Sequence, residues 1–285
     1  MLSKGPFEIK FLILAFVLFP FSPAEPFVQI SKPSSRRLEK KLMPREISLQ
    51  VGQIDGVIFD IDGTLADSFR LGFDATRVVL QKNGLDDIDE QTYHDCTIFA
   101  TPERMARHAG IFPGDPEYDE VSTRLAKEFD DFYIGLVSIE TAAFYPGIRK
   151  MIMSIPNHIR IGALTNAAHQ YAHAVLRVNS DSNGDIYNRF SSIRGADDVP
   201  KPKPNPDGLW VVCGDMGGID PTKCVYVGDS PSDGAAAKNA GMLAIGVLWG
   251  SHSEKKVRDA PFDHICDSVE ALCTLLPQTV DVLEN

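Results

Sequence analysis

The chain has 285 residues, of which 44% are apolar and 24% are charged, and its formal net charge is −11. This composition is typical of a globular protein with a sizeable core, and the length suits one large domain or two smaller ones. The negative charge argues against nucleic acid or an anionic membrane surface as the main partner.

The first 24 residues have the pattern of a secretory signal peptide. Lys4 and Lys10 precede an apolar run over residues 11–19, and residues 22–24 are small, at the spacing of a signal-peptidase site. Nine apolar residues are too few to span a bilayer, so no stable membrane anchor is expected after cleavage.

Residues 25–53 are predicted to be a disordered linker or a second, organelle-directing presequence, because they are rich in Ser, Lys and Arg. The five cysteines of the chain are scattered, with no Cys-x-x-Cys pair, and no Asn-x-Ser/Thr acceptor occurs. Entry into the secretory route combined with reduced thiols is expected for a protein whose destination is a plastid bounded by extra membranes. Secretion or a vacuole are the alternative destinations.

Two carboxylates follow the first buried strand. The strand is an apolar, β-branched run over residues 57–59, and Asp60 and Asp62 come next, two positions apart, before Gly63. In extended geometry both side chains project to the same side, where their like charges call for a cation or a bound proton. Such a pair can divide its work between a nucleophile and an acid/base. An ordinary Asp-rich turn is the alternative.

The next 79 positions, residues 67–145, predict an α-helical subdomain inserted into the fold. Helical patterns extend over residues 68–81, 102–109 and 121–139, and this stretch contains no strong strand pattern. The core is therefore predicted to comprise residues 54–66 and 146–280.

Strands alternate with helices in the second half of the chain. A strand over residues 159–164 ends at Thr165 and Asn166, and a helix follows to residue 178. His169 and His173 lie four apart on this helix, but no third ligand follows at a useful spacing, so a solvated helix face is the favoured interpretation.

A proline-rich segment and a second acidic strand end come later. Residues 199–206 are stiff and extended and hold Lys201 and Lys203 in defined directions. The strand over residues 224–227 ends near Asp229 and Asp233, and further strands and helices extend to residue 276. The pattern predicts an α/β fold with a Rossmann-like parallel sheet core. Its ligands are expected at the carboxyl ends of the strands.

In the order of its motifs, the chain resembles the haloacid dehalogenase superfamily of phosphotransferases over residues 55–276. The four matching motifs are Asp60-x-Asp62-Gly63-Thr64, Leu164-Thr165-Asn166, Lys201-Pro202-x-Pro204 and Gly228-Asp229-x-x-x-Asp233. The helical insert resembles the mobile cap of the family. Asp67-Ser68, Gly241 and the segment 247–250 look most like the phosphoglycolate-phosphatase branch.

The resemblance implies a role for each motif residue. Asp60 is expected to be the nucleophile that forms an aspartyl-phosphate, and Asp62 the general acid and base. Thr165 and the amide of Asn166 are expected to bind the phosphoryl oxygens. Lys201, chosen over Lys203 because it begins the Lys-Pro-x-Pro-x-Pro frame, is expected to neutralise their charge.

The expected cofactor is Mg²⁺, which prefers oxygen ligands. The resemblance implies that Asp60, the backbone carbonyl of Asp62, and Asp229 hold it, with Asp233 in support either directly or through water. With the ion present, an otherwise repulsive cluster of carboxylates becomes a clamp for a phosphate.

The predicted function is hydrolysis of a small phosphate monoester, with phosphoglycolate favoured. A phosphosugar mutase uses the same motifs and stays open, as does a non-catalytic, ligand-binding homologue, whereas Asp62 argues against a dehalogenase. Arg104, Arg107 and His108 are candidate contacts for a substrate carboxylate, and a solvated helix face is the equally good alternative for them.

Overall fold

The computed structural model describes residues 54–278. The predicted signal peptide (1–24) and the predicted presequence or linker (25–53) lie outside the described residues, so both stay predictions. No helix within residues 54–278 combines the length and the apolar character that a bilayer crossing requires.

A six-stranded parallel sheet forms the centre of the described chain, in the order β3-β2-β1-β4-β5-β6. The strands are β1 (Gly56–Phe59), β2 (Arg160–Leu164), β3 (Phe190–Arg194), β4 (Cys224–Gly228), β5 (Leu243–Val247) and β6 (His264–Cys266). Because β1 lies between β2 and β4, the chain leaves the centre of the sheet in both directions. This arrangement creates a crevice for ligands at the carboxyl end of β1.

Helices cover both faces of the sheet. They are α5 (Ile148–Ser154), α6 (His169–Val178), α7 (Asp207–Asp215), α8 (Pro231–Ala240), α9 (Glu254–Asp259) and α10 (Val269–Leu275). Successive residues of β1 enter opposite layers, with Val57 and Phe59 in one apolar cluster and Ile58 in the other. Burial on both faces explains why β1 and β4 are continuous apolar runs rather than alternating ones.

Four further helices lie between β1 and α5 and form the insert, which we call the cap. They are α1 (Phe69–Lys82), α2 (Glu90–Cys96), α3 (Thr101–His108) and α4 (Tyr118–Gly135). Helices α1 and α3 pack on α4, and α2 packs on α3. The two connections to the core are joined side by side, because Ala66 and Phe144 form an antiparallel bridge.

The predicted fold class, a Rossmann-like parallel sheet with an inserted α-helical cap, is confirmed. The sequence patterns missed some short elements, among them β3, α5 and α7. Strand β3 lies at the edge of the sheet and carries polar residues, with Ser191 exposed, so it lacks the apolar run that marked the central strands.

Candidate active site

Residues from three strand ends meet in one cavity. Asp60 follows β1, Thr165 follows β2 and Asp229 follows β4, and because parallel strands end at the same edge of the sheet, their side chains converge. They line a cavity of about 90 Å³. Asp62 and Asn166 also line it, so five of the residues predicted from the motifs share this cavity.

The lysine of the site is Lys203, which corrects the prediction of Lys201. The Nζ atom of Lys203 lies 2.7 Å from Oδ1 of Asp60 and 2.7 Å from Oδ1 of Asp233, and the residue is only 5% exposed. Lys201 is exposed and does not line the cavity. Burial would lower the pKa of Lys203, but the charges of Asp233 and Asp60 outweigh burial and raise it, so the ammonium form is maintained.

Contacts with Asn166 explain why Lys203, rather than Lys201, enters the site. Its side-chain Oδ1 accepts a hydrogen bond from the backbone N–H of Lys203, at 3.0 Å, and its Nδ2 donates to the backbone carbonyl of Lys203, at 3.1 Å. This double contact holds the backbone of Lys203 against the end of β2. The side-chain amide of Asn166 therefore positions the lysine, which differs from its predicted contact with phosphate.

Three buried carboxylates form a group with the chemistry of a metal site. Asp60, Asp229 and Asp233 each offer an oxygen, and these atoms lie within 4.8 Å of one another. Burial raises the pKa of Asp60 well above its usual value; Lys203 opposes this rise, while the neighbouring carboxylates add to it. A single ammonium does not balance so many acids, so the donor set fits a hard divalent cation such as Mg²⁺.

The two carboxylate oxygens of Asp229 differ, because one accepts hydrogen bonds and the other does not. Its Oδ2 accepts hydrogen bonds from the backbone N–H and the hydroxyl of Ser251, at 2.8 and 3.3 Å, and faces Nδ1 of His252 at 3.4 Å. Its Oδ1 accepts no hydrogen bond from residues 54–278. Burial would raise the pKa of Asp229, but the hydrogen bond and charge of His252, with the two backbone N–H groups, hold it below its usual value. The open oxygen is available to a cation.

Two glycines allow this close packing around Asp229. Gly63 has φ of +75°, and a Cβ atom there would lie 2.2 Å from Oδ2 of Asp229. A Cβ on Gly250 would meet the same oxygen at 2.2 Å. Any side chain at either position would displace the carboxylate, which gives the Gly of the Asp-x-Asp-Gly-Thr motif a steric reason.

Asp233 has a supporting position. Its Oδ1 accepts hydrogen bonds from Lys203 and from the hydroxyl of Tyr226, at 2.7 and 3.1 Å, and its Oδ2 accepts from the backbone and the hydroxyl of Ser230, at 2.9 and 2.7 Å. The bonds to Ser230 form a capping box at the start of α8. With both oxygens occupied and no contact with the cavity, Asp233 holds Lys203 and the helix start in place.

Asp62, the predicted acid/base, accepts hydrogen bonds from four hydroxyl groups, of which that of Tyr133 is the most distant, at 3.5 Å. Ser68 and Tyr171 each approach Oδ1 at 2.5 Å, and Thr165 approaches Oδ2 at 3.2 Å. Ser68 occupies the N-cap position of α1 yet makes no capping bond there, because its hydroxyl is directed to Asp62. Burial, reinforced by the charge of Asp62, raises the pKa of Tyr171 well above its usual value, so its hydroxyl stays protonated and donates.

Of the three cap residues proposed as anion contacts, the structure brings one into the cavity. Arg104 is 7% exposed, lines the cavity and forms no salt bridge within residues 54–278. Its guanidinium lies 4.4 Å from the ring centroid of Phe129 and donates to the hydroxyl of Thr76 at 3.2 Å. A buried cation without an ionic partner suits an anionic ligand group.

The other two cap candidates lie away from the cavity. Arg107 forms an ion pair with Glu103 at 2.7 Å and packs on the ring of Phe99. His108 is buried beside Tyr93 and Arg104, and burial lowers the pKa of its imidazole to about 3, so the ring is neutral and does not bind an anion by charge.

Cap and core touch directly around the cavity. Nε2 of His94 in α2 lies 2.8 Å from the carbonyl oxygen of Ser251, and Nδ2 of Asn166 donates to the carbonyl of Ile98 at 3.2 Å. These contacts join the cap to the core at the rim of the cavity.

Motif reasoning missed several residues that shape the site, namely Ser68, Tyr133, Tyr171, Ser251 and His252. Ser68 follows the first motif and Ser251 and His252 follow the segment 247–250, whereas Tyr133 and Tyr171 come from helices without a local signal. For the lysine there was a usable signal, because Lys203-Pro204-Asn205-Pro206 is a second Lys-Pro-x-Pro frame that leads directly into α7.

The sequence model for haloacid dehalogenase-like hydrolases matches residues 57–247. The chain belongs to this family. The match spans the sheet from β1 to β5, together with the cap, and so includes every strand end that contributes to the cavity. Together with the curated relatives described next, this match identifies the chain as a phosphatase, and phosphatases of the family act on small phosphorylated compounds.

Curated relatives of this haloacid dehalogenase-like hydrolase are phosphoglycolate phosphatases. The protein of that name from Shigella dysenteriae is 30% identical over 244 residues, which cover 78% of this chain and 92% of the relative. The one from Nitrosococcus oceani is 26% identical over 232 residues, which cover 79% of this chain and 98% of the relative.

Solved structures share the fold. CbbY from Rhodobacter sphaeroides, crystallised as a mutant with xylulose-1,5-bisphosphate, has a TM-score of 0.62 at 25% identity, covering 75% of this chain and 94% of that one. The β-phosphoglucomutase of Clostridium difficile has a TM-score of 0.60 at 22% identity, covering 77% and 93%. The second likeness concerns the fold alone.

Proposed function

We propose that this phosphatase is Mg²⁺-dependent and hydrolyses a small acidic phosphate monoester, with phosphoglycolate as the favoured substrate, through an aspartyl-phosphate on Asp60. The observation that carries the proposal is the position of Lys203. Its ammonium group contacts Asp60 directly, in a cavity that Asp62 and Thr165 also line.

In the first half of the reaction, a carboxylate oxygen of Asp60 forms a bond to phosphorus while the bond to the ester oxygen breaks. The electron pair of that bond goes to the leaving alcohol, which takes a proton from Asp62. Lys203 and the hydroxyl of Thr165 stabilise charge on the transferring group. Proton transfer of this kind is typically worth about 10²–10⁴ in rate.

In the second half, a water molecule attacks the phosphorus and its proton passes to Asp62, now a carboxylate. The bond between phosphorus and Asp60 breaks, which returns both aspartates to their initial states. Asp60, Asp229 and the backbone carbonyl of Asp62 would hold Mg²⁺, which when bound supplies positive charge to offset the phosphate and the carboxylates.

The size and lining of the cavity support a small acidic substrate. The cavity measures about 90 Å³, whereas pockets for drug-sized ligands measure roughly 300–1,000 Å³. Arg104 lies in its lining without an ionic partner, so it can receive a carboxylate while Lys203 receives the phosphate. Phosphoglycolate has these two anionic groups on two carbons.

The proposal is tested with the unaltered protein and Asp60→Asn. We expect the unaltered protein to release inorganic phosphate from phosphoglycolate in the presence of Mg²⁺, and Asp60→Asn to lose nearly all of that activity. A variant as fast as the unaltered protein contradicts the aspartyl-phosphate. Formation of an isomer from sugar phosphates without phosphate release favours a mutase, and inactivity toward a broad panel of monoesters favours a ligand-binding homologue.

A further inference from the structure

Tyr171 and Ser68 are the two residues outside the four motifs that contact Asp62 at 2.5 Å, and Tyr171 is the one that does not line the cavity. Its hydroxyl lies 2.5 Å from Oδ1 of Asp62, although 109 positions separate the two residues. The residue is fully buried in α6, and its ring belongs to the apolar cluster on that face of the sheet. Tyr171 does not line the cavity, so it reaches a bound substrate only through Asp62.

The cap adds a second tyrosine to this contact. The ring of Tyr133, in α4, stacks on that of Tyr171 with centroids 4.3 Å apart and an interplanar angle of 19°. The hydroxyl of Tyr133 lies 3.5 Å from the same Oδ1. Tyr133 thus brings the cap against the contact between Tyr171 and Asp62.

A phenylalanine ring would fill the same space as the ring of Tyr171, so packing alone does not require the hydroxyl. The ring lies in an apolar cluster, and the hydroxyl makes its closest contact with Oδ1 of Asp62, with the hydroxyls of Ser68 and Tyr133 beside it. A carboxylate held at one oxygen by two donors at 2.5 Å has little freedom to rotate. That constraint matters in the steps in which the carboxyl group must meet the leaving oxygen or the attacking water.

We propose that Tyr171 is a positioning residue for proton transfer by Asp62. The inference rests on the proposed function. In the step concerned, the bond from the ester oxygen to phosphorus breaks as the bond from Asp60 forms, and the proton of Asp62 goes to the departing alkoxide. Tyr171 exchanges no atoms and fixes the direction from which that proton is delivered.

This role predicts a dependence on the leaving group. An alkoxide such as that of glycolate must be protonated as it departs, whereas acetate and p-nitrophenolate are weak bases that depart without a proton. The ratio kcat/KM covers the steps up to departure of the leaving group. Loss of the hydroxyl should therefore lower kcat/KM for phosphoglycolate and spare kcat/KM for acetyl phosphate, which is of similar size.

The experiment measures kcat/KM of the full chain with Mg²⁺ for phosphoglycolate and for acetyl phosphate, or for p-nitrophenyl phosphate if the unaltered protein turns it over faster. In Tyr171→Phe we expect a fall of about 10- to 100-fold for phosphoglycolate, part of the ~10²–10⁴ that a general acid supplies. For the compound whose leaving group is a weak base we expect kcat/KM to change by less than about threefold.

Tyr187→Phe is the matched control. Its hydroxyl contacts His173 and Arg177 on the same helix but does not line the cavity, so kcat/KM for both esters should stay unchanged. If Tyr171→Phe does not fold, Tyr133→Phe removes the other phenol at the same oxygen, 3.5 Å from Asp62. Because Tyr133 also lines the cavity, its effect is taken from the ratio of kcat/KM for the two compounds, which should fall less than in Tyr171→Phe.

Equal losses of kcat/KM on both compounds would mean that Tyr171 serves stability alone. No loss on either compound would mean that Tyr171 has no role in the reaction. Both outcomes overturn the inference and leave the proposed function standing. Inactivity of the unaltered protein on both esters would instead overturn the proposed function, and the inference with it.

Discussion

The ammonium group of Lys203 lies 2.7 Å from the Oδ1 atom of Asp60, across 143 positions of sequence. Both groups are buried, and Asp233 completes the contact from the other side of the lysine. A buried cation between two carboxylates stabilises the assembled site, and its removal leaves uncompensated charges that cost about 3–5 kcal/mol.

Lys203→Met should therefore reduce both activity and stability. We expect kcat/KM for phosphoglycolate to fall by about 10²–10³ or more, the loss typical for removal of one group that stabilises transition-state charge. Thermal unfolding, followed by circular dichroism, should show a lower Tm. Lys201→Met is the control, since Lys201 is exposed, and it should retain full activity. The reverse pattern would return the catalytic role to Lys201.

Metal removal should inactivate the protein and lower its stability. A ligand that binds only the folded state stabilises it by about 2.7 kcal/mol when its free concentration is a hundred times Kd. Titration with Mg²⁺ should therefore raise Tm. The rise should disappear in Asp229→Asn, which alters the open ligand oxygen, and persist in Asp259→Asn, an exposed acid paired with Lys255. Full activity after chelation, with no Mg²⁺-dependent change in Tm, would contradict the metal site.

Arg104→Met tests the carboxylate contact. A hydrogen bond to a charged group is worth about 1.5–3 kcal/mol, so kcat/KM for phosphoglycolate should fall by about 10- to 100-fold. Ethyl phosphate lacks the carboxylate and should be affected much less. Arg107→Met provides the comparison, because Arg107 already pairs with Glu103. If both esters lose activity equally, Arg104 supports the cap rather than selecting the substrate.

Asp130 should make the stability of the protein depend on pH. Burial raises the pKa of its carboxyl to about 7, against the opposing charge of Arg104, and its Oδ1 has no hydrogen-bond partner within residues 54–278. Between the ordinary value of 3.8 and about 7, the folded state keeps a proton that the unfolded state has released. The stabilisation from this group is therefore complete below pH 3.8 and is lost as the pH rises through about 7.

Asp130→Asn removes this loss. Compared with the unaltered protein, the variant should show a smaller decrease in Tm between about pH 5 and about pH 8. Asp131→Asn, at an exposed position paired with Lys127, should preserve the original decrease. An unchanged pH dependence in Asp130→Asn would show that Asp130 ionises normally in the folded protein.

The sequence by itself determined the central strands of the sheet, the helical cap and the acidic half of the site. Apolar runs ending in Asp60, Thr165 and Asp229 were sufficient for this, because strands that run parallel must bring their carboxyl ends to one edge. The order of the motifs then indicated the family, which the match over residues 57–247 established.

Only the tertiary structure decided which side chains complete the site. Two overlapping Lys-Pro-x-Pro frames occur, and the longer frame favoured Lys201. The position of Lys203 in the site depends instead on the hydrogen bonds between Asn166 and its backbone. Tyr171 and Arg104 lie in helices, and the spacing of apolar residues in a helix predicts which face is buried. Periodicity does not say which distant residue a buried polar group will meet, because that depends on how the helices pack on one another and on the sheet.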